Sequence, residues 1–85
     1  MRYIFVDESW EDYLHWQNTD KKILSKINNL LKDISRTPFT GIGKPEPLKF
    51  KYKGFWSRRI SGEHRLIYQV KDEDIFIAKC RFHYD

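Results

Sequence analysis

One cysteine, three prolines and four glycines are all that this 85-residue chain holds of the residues that cross-link or interrupt a fold. With Cys80 alone no intramolecular disulfide forms, and a lone thiol fits a reducing, cytoplasmic setting. Long apolar runs are absent as well. The longest stretches free of Asp, Glu, Lys and Arg are seven residues, at 13–19 and 37–43, against about 20 apolar residues for a membrane-spanning helix. No membrane segment is expected. Only four apolar residues, Tyr3 to Val6, precede Asp7 and Glu8, too few for the apolar stretch of a signal peptide. No His, Cys and carboxylate set has metal-ligand spacing, and no glycine-rich loop precedes a helix, so neither a metal nor a cofactor is expected.

What is plentiful is aromatic and basic. Apolar residues make up 40% of the chain and aromatics 16%, too many large side chains for a disordered polypeptide. The length suits one domain spanning residues 1–85, whose core must rest on those aromatics. The net charge of +4 is unevenly spread. Residues 1–43 are neutral, with six charges of each sign, whereas Lys44 to Arg65 holds seven basic residues against Glu46 and Glu63. Interleaved with Phe50, Tyr52, Phe55 and Trp56, this segment fits a polyanion-binding surface with stacking partners. It equally fits a solvated strand pair with core aromatics.

Arg2 to Val6 reads as a strand, and Ser9 with Asp12 as a capping-box variant opening a first helix lined by Trp10, Tyr13, Leu14 and Gln17. Asp20 is a good N-cap for a second helix to about Arg36, with Ile23, Ile27, Leu30, Leu31 and Ile34 on one face. All three prolines and two glycines fall in 37–47, which predicts a loop. Beyond it, 48–52, 55–60, 64–70 and 75–83 are strand candidates separated by turn signals. The expected fold is α+β, with two N-terminal helices packed on one face of a twisted antiparallel sheet. Period-two parity predicts Phe76, Ala78, Cys80 and Phe82 inward with Leu66, Tyr68 and Val70, alongside a buried Ile27. It turns Ile67 and Gln69 outward and brings Arg65 and His83 to the face away from the helices.

That face, presenting Arg65, His83 and lysines, with Glu46 on the proline-bracketed approach to it, offers groups able to cleave RNA without a metal. Attack of a ribose 2′-hydroxyl on its own phosphate needs a base, cations for the phosphorane and an acid for the leaving oxygen. Glu46, ionised at neutral pH, suits the base; His83 suits the acid; Arg65 suits the clamp, its planar fork matching two phosphate oxygens. Each also reads blandly: Glu46 as a solvated loop acid, His83 as part of a docked strand end, Arg65 as the partner of Glu63 or of an acid in the 71–74 turn.

The stretches DESWEDYLHWQ, INNLLKDISRTPF, GIGKPEPLK, GFWSRRI, EHRLIYQV and CRFHY resemble, in order and spacing, the Txe/YoeB-type toxins of the RelE superfamily. The resemblance covers essentially the whole chain. It implies a RelE/YoeB-like fold and a ribosome-dependent endoribonuclease that cuts mRNA in the ribosomal A site, is silenced by a YefM-type antitoxin, and is compatible with a homodimer. By the same resemblance the general base falls on Glu46, the phosphate-stabilising arginine on Arg65 and the general acid on His83, with Lys49, Arg59 and Tyr84 holding the RNA. Asp85 departs from the family, which commonly ends at the tyrosine, and an extra acid there bears on the pKa of His83. The competing reading is a non-catalytic RNA or ribosome binder that blocks translation.

Overall fold

A computed structural model describes residues 1–83. In chain order the elements are β1 (Arg2–Phe5), α1 (Asp7–Thr19), α2 (Lys21–Arg36), β2 (Glu46–Pro47), a 3₁₀ turn (Phe50–Tyr52), β3 (Trp56–Arg59), β4 (Arg65–Lys71) and β5 (Asp74–Lys79). Both helices supply the core on one face of a five-stranded sheet ordered β1-β5-β4-β3-β2. The sheet is antiparallel except that β1 runs parallel to β5. At that join Arg2 donates to both carboxylate oxygens of Asp74, at 2.8 and 2.7 Å.

The second helix forms as the spacing requires. Asp20 Oδ1 accepts from the backbone N–H of Lys22 and Ile23, satisfying two groups that the first turn leaves open. Ile27, Leu30, Leu31 and Ile34 are buried against Leu66, Tyr68, Ile75 and Ile77. The first helix starts earlier than its serine suggests. Val6 is the N-cap, Asp7 and Glu8 fill the first turn, and Ser9, at the third helical position, accepts from the Val6 N–H at 2.9 Å. Its core residue is Trp16, 6% exposed, while Trp10 stays 47% exposed.

Three strand expectations need correction. Residues 48–52 are not a strand: β2 is only Glu46–Pro47, and the chain then tightens into the 3₁₀ turn, with Phe50 at φ +56°. The last strand ends at Lys79, not at residue 83. Its parity is also the reverse of that expected. Ile75 and Ile77 enter the core, Phe76 and Ala78 are only half-buried, and Phe82 is exposed. The cause is a bulge: Tyr68 pairs with Ile77 and Ile67 with Lys79, so Ala78 is an extra residue that returns Cys80 to the core face. Ile67 does lie opposite Lys79, away from the core cluster, yet it is fully buried.

Arg58 is the unexpected core residue. In β3 it pairs with Leu66 and is 0% exposed. Its guanidinium donates to Asp33, to the carbonyls of Thr37, Thr40 and Ile42, and to the Tyr68 hydroxyl, which itself donates to Pro38 O at 2.7 Å. The 37–42 segment is thus wrapped around one cation. Gly41, at φ +124°, is required there, since a Cβ would lie 2.1 Å from Asp33 Oδ2. Hydrogen bonding from Arg58 holds the Asp33 carboxyl below its usual range.

Arg58→Ala is therefore expected to lower stability by about 3–5 kcal/mol, because it strands several acceptors around an empty cavity. That is a large part of the total for a small domain, and a urea melt measures it. In the wild type the Asp33 contribution is fully present above about pH 4 and is lost as pH falls through the lowered folded-state value. An acid titration of folding that did not differ between wild type and Arg58→Ala would contradict this.

Candidate active site

Cross-strand register assembles the polar face. In β3, Trp56 and Arg58 turn toward the helices and Ser57 and Arg59 away. Ser57 pairs with both Glu46 and Ile67, and Arg59 pairs with Arg65. Glu46, Arg59 and Arg65 thus share the face opposite the helices, as the parity reading expected for Arg65. With strands about 4.8 Å apart and residues about 3.4 Å apart, the Cα atoms of Glu46 and Arg65 are separated by about 12 Å. Two arginines directly opposite repel, and an anion between them removes that cost.

Arg65 is half-buried, and its Nη1 donates to the carbonyls of Ser61 and His64 at 2.7 and 3.1 Å, not to Glu63. These bonds fix one edge of the guanidinium. Glu46 and Lys49 lie in one groove of about 350 Å³ lined by residues 46–52. Next to it, the Lys79 ammonium is pulled down by burial, but the Tyr52 hydroxyl and the Glu8 carboxylate outweigh that and hold it above its ordinary value.

His83 lies on the tail that follows β5. The Phe82 carbonyl accepts from the Arg65 N–H at 3.0 Å, and the Phe82 N–H donates to His64 Nδ1 at 2.7 Å. The next residue, His83, is exposed beside the start of β4. The backbone has therefore brought the candidate acid next to the candidate clamp. Tyr84 and Asp85 lie outside the described residues. Among the described residues, no three His, Cys, Asp or Glu side chains converge as metal ligands.

A sequence profile for the YoeB-like toxins of bacterial type II toxin-antitoxin systems matches residues 5–84. The toxin YoeB of Escherichia coli K12 is 62% identical over 84 residues, which cover 99% of this chain and all of that protein. The chain belongs to the YoeB family of toxins. Solved structures agree: a YoeB/ParE toxin from Agrobacterium tumefaciens superimposes with a TM-score of 0.96 at 48% identity, over 99% of this chain and 100% of that one. YoeB from Staphylococcus aureus, in complex with YefM, gives 0.93 at 48% identity over 99% and 98%.

In this YoeB-type chain, three residues that hold the site in place escaped the sequence reading. The helix α1 grips Cys80 from both sides: Trp16 Nε1 donates to its carbonyl at 2.8 Å, and Asp12 Oδ2 accepts from its N–H at 3.1 Å. With its backbone groups taken by side chains, Cys80 leaves the sheet, β5 ends and the tail turns toward β4. His64 then catches Phe82. Because Nδ1 accepts, the neutral ring carries its proton on Nε2. The spacing of Asp12 and Trp16, one helical turn apart, was the available signal, but only the tertiary partner gives it meaning. Burial raises the Asp12 carboxyl and pushes the Cys80 thiol up to about 12, so the sulfur stays a neutral core atom.

Proposed function

We propose that this toxin is a ribosome-dependent mRNA endoribonuclease acting on the codon in the A site. The observation that carries the reading is the pairing of Arg59 with Arg65 on the face that also bears Glu46. Two cations facing one another with a carboxylate nearby fit a phosphodiester whose 2′-hydroxyl must be deprotonated.

In this reading the Glu46 carboxylate takes the 2′-hydroxyl proton as the oxygen attacks the adjacent phosphorus. Arg65 and Arg59, with Lys49, hold the negative charge that builds on the non-bridging oxygens. His83 gives a proton to the departing 5′-oxygen. One P–O bond forms and one breaks, leaving a 2′,3′-cyclic phosphate, or the 3′-phosphate from its hydrolysis, and a 5′-hydroxyl. Protein groups supply the base, the cations and the acid, so the route calls for no metal. Tyr84 follows His83 directly and serves as an RNA-orienting residue.

The same basic face suits an acidic segment of a YefM-type antitoxin, which would silence the toxin by covering Arg65 and His83. Self-association fits too, since a dimer of the Staphylococcus aureus YoeB is known in a solved structure. Acting on translating ribosomes places the protein in the cytoplasm. Primer extension on translated mRNA, with end-group analysis of the fragments, tests the proposal. The expected result is cutting within the A-site codon with a 5′-hydroxyl on the downstream piece. Arrested translation with intact mRNA would instead identify a non-catalytic blocker.

A further inference from the structure

Phe50 combines two unfavourable states. The residue is 90% exposed, and its backbone sits at φ +56°, the left-handed region that bulky side chains rarely occupy. An outlier of this kind points to use rather than to packing. The conformation is held firmly: the Tyr52 N–H donates to Lys49 O at 3.1 Å, the Lys53 N–H to Phe50 O at 3.0 Å, and the Phe55 N–H to Tyr52 O at 2.9 Å. The ring thus projects from a fixed turn. Exposed Lys49, Lys51 and Lys53 flank it along the chain, and residues 46–52 line the groove that holds Glu46.

We propose that Phe50 is a stacking platform for one nucleobase of the RNA, beside the scissile phosphate. The inference rests on the nuclease reading above and names a residue which that reading does not use. An aromatic face among lysines is how proteins hold single-stranded nucleic acid, the ring taking the base and the cations taking the backbone. RNA fits better than a peptide. An acidic peptide laid in the groove would set a carboxylate against Glu46, whereas an RNA chain brings its phosphates to the lysines and a 2′-hydroxyl to the carboxylate.

The test is a double-mutant cycle with mRNAs on programmed ribosomes, each carrying a single abasic nucleotide at or next to the A-site codon. Phe50→Ala and Phe50→Leu are expected to lower kcat/KM about tenfold or more, and Phe50→Trp to retain it. At one position the abasic RNA should cost the wild type as much, and Phe50→Ala nothing further. Losses that add at every position, or a leucine as good as phenylalanine, would overturn the platform. So would unchanged cleavage by Phe50→Ala with weakened antitoxin binding, which would assign the ring to a protein partner.

Repeating the cycle as binding of single-stranded oligoribonucleotides in a Glu46→Gln background separates the two ideas. Coupling in binding without any cleavage by the wild type would support the platform and sink the nuclease reading. Cleavage without coupling would do the reverse.

Discussion

Glu46→Gln, Arg65→Ala and His83→Gln will each lower single-turnover cleavage on programmed ribosomes by about 10²–10⁴, with circular dichroism and melting close to wild type. Glu46 and His83 are exposed and Arg65 is half-buried, so none of the three belongs to the apolar core. Glutamine keeps the shape of Glu46 but cannot take a proton at neutral pH. Arg65→Ala forfeits bonds to Ser61 and His64 as well as its charge, so Arg65→Lys is the control. Lysine keeps the charge without the planar fork and should recover only part of the rate. The three losses should not add, since groups acting on one transition state fail together. Wild-type rates in all three variants would mean that the chemistry lies elsewhere.

The larger expected effect is that of the ribosome itself: cleavage of free RNA should be slower by about 10⁵ or more. Charge is not what limits the reaction. A net +4, with an excess of +5 within 44–65, attracts any RNA in a salt-sensitive way. What a groove of about 350 Å³ on an open sheet face lacks is a means to hold the 2′-oxygen, phosphorus and leaving oxygen in line. Fixing such an arrangement is worth about 7 kcal/mol or more, and on the proposed reading the A site, which immobilises a codon, provides it. Single-turnover rates on free and ribosome-bound mRNA at saturating toxin measure the difference. Equal rates would make the protein a general ribonuclease.

The second helix and the placement of Arg65 were legible because each depends on one dominant local pattern, whereas the face of α1 was not, since Trp16 and not Trp10 enters the core. Asp20 followed by apolar residues at three- and four-residue spacing leaves α2 no competing solution. The β5 run was not legible. Ile75, Phe76 and Ile77 are all apolar, so alternation cannot choose a face, and the bulge at Ala78 lets Cys80 satisfy the expected parity while its neighbours violate it. The 48–52 segment alternates like a strand, but its fate rests on one left-handed residue that composition does not reveal. Seven basic residues in 44–65 look alike in a charge count. Only the core position of Arg58 shows that it binds the protein's own loop and not a polyanion. In the candidate site the residue types were readable, whereas the contacts holding His83 near Arg65 come from His64 and from α1, the latter nearly seventy positions away.

The joining of β1 to β5 has a consequence in time. Arg2 and Asp74 are 72 positions apart, and β5 is an interior strand, flanked by β1 on one side and β4 on the other. During synthesis β1 and both helices emerge first and wait without the strand on which they close. Cys80, the residue that α1 grips to turn the tail, emerges later still. Non-local pairing of this kind delays folding until the distant partner is available. The tail that carries His83 is thus placed only after β5 has emerged. On the proposed reading, a growing copy passes through the ribosome before it has the structure with which to act on one.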